Sequence, residues 1–133
     1  MDNSVTSSLL LQKLVYDKIE FERKGFKNEN ELAFKIQIQI GVGGDNEYKV
    51  TLIFEGDKKD EYHFLISLTG FFGIDNKDAL EDKKIADLIN KNAVAILMPY
   101  LRSEVTILTA QPDTDSVVLP PFNINKIMDR KGE

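Results

Sequence analysis

Apolar and polar residues alternate through most of the first half of the chain. From Leu10 to Glu22 the alternation is rough. Its apolar phase changes between Leu14/Tyr16 and Ile19/Phe21, the mark that a β-bulge leaves in a strand. Arg23 to Asn30 is a polar connection containing Gly25 and one apolar residue, Phe26. Leu32, Phe34, Ile36, Ile38 and Ile40 then alternate strictly with Ala33, Lys35, Gln37, Gln39 and Gly41. This pattern predicts a strand with one apolar and one solvated face. Gly41 to Asn46 is a turn cluster, and Tyr48, Val50, Leu52 and Phe54 predict a third strand. Gly56-Asp57-Lys58-Lys59 turns the chain back into a fourth, Glu61 to Thr69. The short connections between strands two, three and four predict an antiparallel meander.

After Gly70-Phe71-Phe72-Gly73 the period changes. Asp78 and Glu81 have the spacing of a capping box. Ile85, Leu88, Ile89, Asn92, Ala93, Ile96 and Leu97 then recur at helical spacing. Pro99 is expected to kink that helix or split it, with the pattern resuming at Leu101, Val105 and Leu108. Thr109 to Pro121 reads as a loop holding Pro112, Pro120 and Pro121. Asn123 is placed to cap a short last helix with Ile124, Ile127 and Met128. No repeat or low-complexity linker interrupts this order, so residues 1–133 are expected to form one domain. The predicted class is α+β: a four-stranded antiparallel sheet, then a long Pro-kinked helix and a short C-terminal helix, packed on one sheet face.

Two stretches carry more apolar surface than a lone domain of this size needs. Val94 to Leu101 is apolar all round a helix, and Phe64-Leu65-Ile66 breaks the alternation of the fourth strand. Self-association is the expected way of covering both.

Composition narrows the classes. There are 17 Lys+Arg against 22 Asp+Glu, a net charge of −5, which argues against a nucleic-acid binder or an anionic-membrane binder. With 42% apolar and 29% charged residues the chain is an ordinary folded protein rather than a disordered one. The absence of Cys removes disulfides, thiolate nucleophiles and cysteine zinc sites, and it suits a reducing cytoplasm. Residues 1–8 hold no Lys or Arg and Leu9-Leu10-Leu11 is too short for an h-region, so no secretory signal peptide is expected. No run approaches 18 apolar residues, so no membrane insertion is expected either.

Candidate chemistry is sparse. Gly41-Val42-Gly43-Gly44 joins two strands rather than a strand and a helix, which makes it a hairpin turn and not a phosphate loop. His63, the only imidazole, has no Cys, Ser or His at a triad or metal spacing. Asp57/Asp60/Glu61 and Asp75/Asp78/Glu81/Asp82 lack the spacing of a calcium loop and read as solvated turns and helix starts. The expectation is therefore no enzyme, no cofactor and no metal. Phe26, Val117, Val118, Leu119, Phe122 and Met128 stand apart as apolar residues in or beside loops. Packing over the sheet and a groove for apolar ligand segments both account for them.

Asn92-Ala-Val-Ala-Ile-Leu-Met-Pro-Tyr-Leu-Arg-Ser-Glu-Val105, followed by Leu119-Pro-Pro-Phe-Asn123, resembles the SecB family of protein-export chaperones in its Pro-Tyr-x-Arg block and its Leu-x-Pro-x-Asn entry to the last helix. Tyr16 to Glu22, Gly70-Phe71-Phe72 and Thr109-Ala-Gln111 are similar to that family's first strand, glycine-plus-Phe element and helix-connecting loop. The resemblance runs over nearly the whole chain. It implies a homotetramer, a dimer of dimers, with Val94, Ile96, Leu97, Tyr100 and Leu101 at an oligomer interface. It also implies an ATP-independent holdase for unfolded preproteins or other non-native polypeptides. The client groove would use Phe34, Ile36 and Ile38 with Phe122, Ile124, Ile127 and Met128. Glu22, His63 and Leu65 fall where family members meet SecA. Glu22 keeps an acidic position there, while Lys18, His63 and Leu65 stand in place of an Asp, a Leu and a Glu. A chaperone for a dedicated client such as an antitoxin, and a non-chaperone scaffold of the same fold, share this signature. They are separated by whether unfolded chains bind, and which.

Overall fold

A computed structural model describes residues 8–44, 47–75 and 82–119. Four strands, β1 (Ser8–Arg23), β2 (Leu32–Val42), β3 (Tyr48–Lys58) and β4 (Tyr62–Asp75), pair antiparallel in the order β1-β4-β3-β2. Among the described residues two helices follow, α1 (Asp82–Leu88) and α2 (Val94–Thr109), joined by one π-helical turn at Ile89–Ala93. The α+β class and the meander of β2, β3 and β4 agree with the sequence pattern. Asp78, Glu81, Asn123 and the last-helix residues lie outside the described residues.

β1 matches β4 only because it is bulged twice. Its register shifts between Leu11 and Lys13 and again between Tyr16 and Lys18. Each shift inserts a residue without a partner, first Gln12 and then Asp17, and flips the side-chain phase. Leu9, Leu11, Leu14, Tyr16, Ile19 and Phe21 therefore all face the same side as their partners Ile74, Phe72, Gly70, Leu68, Ile66 and Phe64. The second shift is the phase change visible in the sequence.

The core lies between that inner sheet face and α2. Val50, Leu52 and Phe54 of β3 and Phe64, Ile66 and Leu68 of β4 are completely buried, as are Val94, Leu97, Leu101 and Val105 of α2. Aromatic rings cross the sheet in a band: Phe34 to Phe54 at 5.3 Å between centroids, Phe54 to Phe64 at 5.8 Å, Phe64 to Tyr62 at 6.0 Å, Tyr62 to Phe21 at 5.3 Å. The band passes over Gly56, where a Cβ would sit 2.5 Å from the Phe64 ring, so glycine is what lets the rings close up.

α2 runs through Pro99 to Thr109 and is not split there. The interruption of α-helical hydrogen bonding is at Ile89–Ala93 instead. A straight helix would turn Ile85 and Ile89 away from the face that holds Leu97 and Leu101. The wider π turn resets the phase so that all four are buried.

β1 and β2 occupy opposite edges, so residues 24–31 must cross the end of β4 and β3. A buried ion pair organises that crossing. Lys58 Nζ lies 2.9 Å from Glu61 Oε1, with both side chains essentially without solvent contact. Lys58 Nζ also donates to the Asn28 carbonyl and to Asn28 Oδ1 at 2.6 and 2.7 Å. Glu61 Oε1 accepts from the Asn28 N–H at 2.8 Å, and Oε2 accepts from the Asp115 N–H at 2.7 Å. Arg23 reaches across to the carbonyls of Pro112 and Asp113, and Tyr62 Oη donates to the Asp115 carbonyl.

Burial alone would push the Glu61 carboxyl up. The hydrogen bonds from the Asp115 N–H, Lys58 and the Asn28 N–H outweigh it, and the net position is below the usual carboxylate range. A depressed folded-state pKa adds stability above the unfolded value of about 4.3, and that stability is lost as pH falls through the lower folded value. Urea midpoints are thus expected to hold steady from pH 7 to about 5 and to drop below about 4. Glu61→Gln should be less stable at pH 7 and show a shallower acid decline. Equal slopes for the two proteins would remove Glu61 from the acid transition.

Candidate functional site

β2 is an edge strand whose apolar face is only partly covered. Its inner row is Leu32, Phe34, Ile36, Ile38, Ile40 and Val42, paired with Lys58, Gly56, Phe54, Leu52, Val50 and Tyr48. Phe34 is 47% exposed, Ile40 42% and Val42 74%, while Ile36 and Ile38 are half-buried against the core. The opposite face of the strand, Ala33, Lys35, Gln37 and Gln39, is solvated. Eleven residues in unbroken register make a row about 35 Å long at roughly 3.3 Å per residue. At its hairpin end the row opens into a cleft of about 450 Å³ lined by Ile40, Val42, Tyr48, Ile85, Ala86 and Ile89. Phe34, Ile36 and Ile38 thus share one face, as the alternation of apolar and polar residues predicted. Ile40 extends it, as the strict alternation of the sequence implied, and so does Val42, which the sequence pattern puts in the turn cluster. Phe122, Ile124, Ile127 and Met128 lie outside the described residues.

The expected interface residues divide between the two sides of α2. Val94, Leu97 and Leu101 have no exposed surface because they pack on this chain's own sheet, so they have nothing left to offer a partner. All-round apolar character misled here: half of it serves the core. Ile96 is half-buried and Tyr100 is 43% exposed, on the side that leans toward β1. Tyr16 Oη donates to the Tyr100 carbonyl at 3.1 Å. Burial, with smaller contributions from Glu104 and Tyr100, pushes the Tyr16 phenol up, so it keeps its proton and its role as donor. Beside it Ile19 is exposed on the inner face of β1.

Glu22, His63 and Leu65 do share a face, the outer one. Glu22 pairs across from His63, and Glu20 from Leu65. Both ring nitrogens of His63 meet carboxylates, Nε2 to Glu55 Oε2 at 3.0 Å and Nδ1 to Asp57 Oδ1 at 3.2 Å. Lys24 and Lys35 pair with the same two carboxylates. The Lys24 hydrogen bond first, and His63 second, hold Asp57 below the usual carboxylate range. His63 is therefore one member of a charge ladder. Among the described residues no group of His, Asp and Glu is arranged to hold a metal, and no helix is long and apolar enough to cross a membrane.

The loop residues also separate. Phe26 and Val118 are 77% and 76% exposed, whereas Leu119 is buried and Val117 is half-buried. The segment 117–119 runs back along α2, its backbone held by Thr109, Thr106 and Arg102. Thr109 Oγ1 accepts from the Val117 N–H, Thr106 Oγ1 donates to the Val117 carbonyl, and Arg102 Nε donates to the Leu119 carbonyl.

No family model matches the chain. An uncharacterized protein of Methanocaldococcus jannaschii is 25% identical over 134 residues, spanning 91% of this chain and 83% of its own length. Among solved structures, a SecB-like chaperone of Mycobacterium tuberculosis, in complex with a ChAD peptide from the HigA1 antitoxin, superposes with a TM-score of 0.67. It is 13% identical, and the match covers 86% of this chain and 91% of that one. At that identity the likeness is one of architecture, and it agrees with the strand order and helix placement described above: the chain has a SecB-like fold.

Proposed function

We propose that this protein is an ATP-independent holdase that binds unfolded polypeptide segments along the inner row of β2. The observation that carries the reading is that row, apolar over the length of an edge strand and left partly exposed. An extended segment laid along it buries alternate side chains against Phe34, Ile36, Ile38 and Ile40, and such burial is indifferent to sequence detail. Each large side chain contributes about 1.5–3 kcal/mol before ordering costs, so a single site is weak and a client engaging several sites is held by avidity. The reading includes no catalytic step and no cofactor.

The assembly in this reading is a homo-oligomer of the dimer-of-dimers kind, using Ile96, Tyr100 and the β1 flank. Its client is either a range of exported preproteins or one dedicated protein. The antitoxin peptide held by the M. tuberculosis chaperone supports the dedicated version. Export through SecA would use the outer face of Glu22, His63 and Leu65, in the cytoplasm.

Light-scattering mass after size exclusion tests this, with and without a denatured, slow-folding preprotein diluted into the sample. A multimer of about four chains that carries the client with it, without nucleotide, is the expected result. A multimer that leaves every unfolded protein to aggregate would leave only a scaffold. Similar affinity for several unrelated clients would favour general export over a dedicated partner.

A further inference from the structure

The edge of β2 offers more than a row of side chains. The Gly43 N–H donates to the Glu47 carbonyl at 2.9 Å, so the odd-numbered residues of this strand turn their backbone groups toward β3. The far side of the sheet gives the same parity. The Lys24 N–H donates to the Glu61 carbonyl at 2.8 Å, which points the odd-numbered residues of β4 at β1 and the even-numbered ones at β3. With no register shift across β4, β3 and β2, the odd-numbered residues of β3 then bond to the odd-numbered residues of β2. The N–H and C=O groups of Ile36, Ile38 and Ile40 therefore point outward from the sheet. Among the described residues no strand takes them up.

These are the same residues whose side chains lie in the apolar inner row. Nothing beside them defends the edge. β2 has no proline and no bulge, and its one charge, Lys35, is held by Glu55 at 3.2 Å. An unfolded segment is the occupant that fits both features, because its backbone groups need partners once they leave water and its side chains are free to alternate across the two faces. The flank with Ile19 and Tyr100, which the proposed assembly gives to a second copy, lies at β1, the opposite edge of the sheet. The row also runs into the cleft of about 450 Å³ beside α1, which leaves room for a side chain of a segment that continues past Ile40.

We propose that the client joins the sheet as a fifth strand, antiparallel to β2, through backbone hydrogen bonds to Ile36, Ile38 and Ile40. Resting on the β2 reading above, this pairing narrows the substrate class to extended segments of alternating apolar residues with no proline at the apolar positions. In an antiparallel pair, residues opposite each other at a hydrogen-bonded position exchange both bonds and send their side chains to the same face. The client residues opposite Ile36, Ile38 and Ile40 thus do two things at once. Their side chains cover the inner row, and their N–H and C=O groups bond to the edge. The client residues between them face the solvated side and turn their backbone groups away from β2.

The test uses the full-length protein and a peptide of about nine residues, apolar at every second position. One derivative is N-methylated at two central apolar residues, the other at two of the polar residues between them. Affinity is expected to fall about tenfold or more for the first and to stay within about twofold for the second. No loss for either derivative would mean a client held by side chains alone and would overturn the proposal. An equal loss for both would overturn it too, since it marks crowding and not a defined pairing. A loss confined to the second would mean a parallel client and overturn the antiparallel register. Amide exchange checks that the edge is open. Without peptide, the N–H groups of Ile36, Ile38 and Ile40 should exchange much faster than those of Gln37, Gln39 and Gly41, and they should slow when the peptide binds. Protection of both sets without peptide would put a second copy or another segment of this chain on the edge, and the proposal would fall. Ile40→Asp keeps the two readings apart. If it leaves binding of the unmethylated peptide intact, the β2 reading itself fails. If it weakens that binding while methylation does nothing, only the strand pairing fails.

Discussion

Phe34→Asp combined with Ile40→Asp is expected to leave a folded protein that no longer keeps an unfolded client in solution. The two residues are the half-exposed members of the inner row, on either side of Ile36 and Ile38. Removing them subtracts about 3–6 kcal/mol of apolar contact from one bound segment, at about 1.5–3 kcal/mol per side chain. That corresponds to a loss of roughly 10²- to 10⁴-fold in affinity. The fold should survive because the buried part of the aromatic band, Phe54 against Phe64, does not depend on Phe34. The missing Phe34–Phe54 stack costs about 0.5–1.5 kcal/mol. Gln37→Asp with Gln39→Asp places the same charges on the solvated face of the same strand and should leave binding intact. The readout is aggregation of a diluted, denatured client followed by turbidity, with melting temperature recorded in parallel. Full protection by the Phe34/Ile40 variant would rule out the inner row of β2 as the client site.

That row is also where the sequence spoke most clearly. Strict alternation from Leu32 to Ile40 has only one physical solution, a strand with two unlike faces, and β2 has that form. β1 was harder. The shift at Asp17 showed itself because it moves the phase from Leu14/Tyr16 to Ile19/Phe21. The shift at Gln12 falls inside Leu9-Leu10-Leu11, where consecutive leucines hide any phase. The helix region was misread for a related reason. Val94 to Leu101 is apolar on every side, so periodicity could not say which residues serve the core. Burial assigns Val94, Leu97 and Leu101 to the sheet, sets Ile96 half-buried at the margin of the same core and leaves Tyr100 exposed. Pro99 drew the expectation of a kink or a split; α2 is not split there, and the irregular turn lies six to ten residues earlier, at Ile89–Ala93, where the phase of the buried positions has to be reset. The Lys58–Glu61 pair had no sequence signature at all. In a turn rich in Lys, Asp and Glu it looks like solvated charge, and only the crossing of residues 24–31 over that turn buries it.

The two edges of the sheet follow different logic. β1 is bulged twice along 16 residues, which bends an edge and limits the length over which another strand can pair with it. β2 has no bulge, no proline and one charged side chain, Lys35, on its solvated face. Among the described residues no strand pairs with the outer edge of β2, and such an edge is a liability in a protein with no partner for it. It is a natural seat for an extended polypeptide. The exposed apolar residue Ile19 of β1 sits on a different surface, beside Tyr16 and Tyr100, which the proposed assembly assigns to a second copy of the chain.

If the proposed homo-oligomer forms through this surface, Ile96→Asp with Tyr100→Asp reduces it to smaller species without unfolding the protomer. Ile96 is half-buried at the margin of the core and Tyr100 is exposed, on the side of α2 that leans toward β1. Neither substitution places a charge among Leu97, Leu101 and Val105. The Tyr16 hydrogen bond goes to the backbone carbonyl of Tyr100, so it survives loss of the ring. In a packed interface, removal of an aromatic anchor costs about 2 kcal/mol or more, and two desolvated carboxylates add to that. The assembly constant should weaken by at least about 10³-fold. Leu97→Asp, one position from Ile96, is the opposing control. It places a carboxylate in a site with no solvent contact, between α2 and Gly70, and should unfold the chain. Light-scattering mass and far-ultraviolet circular dichroism separate the outcomes. Folded, smaller species for Ile96/Tyr100 beside an unfolded Leu97 variant would give each side of α2 its own task. An unchanged mass for the Ile96/Tyr100 variant would mean that the copies meet elsewhere, and that the apolar flank of β1 and α2 has another occupant.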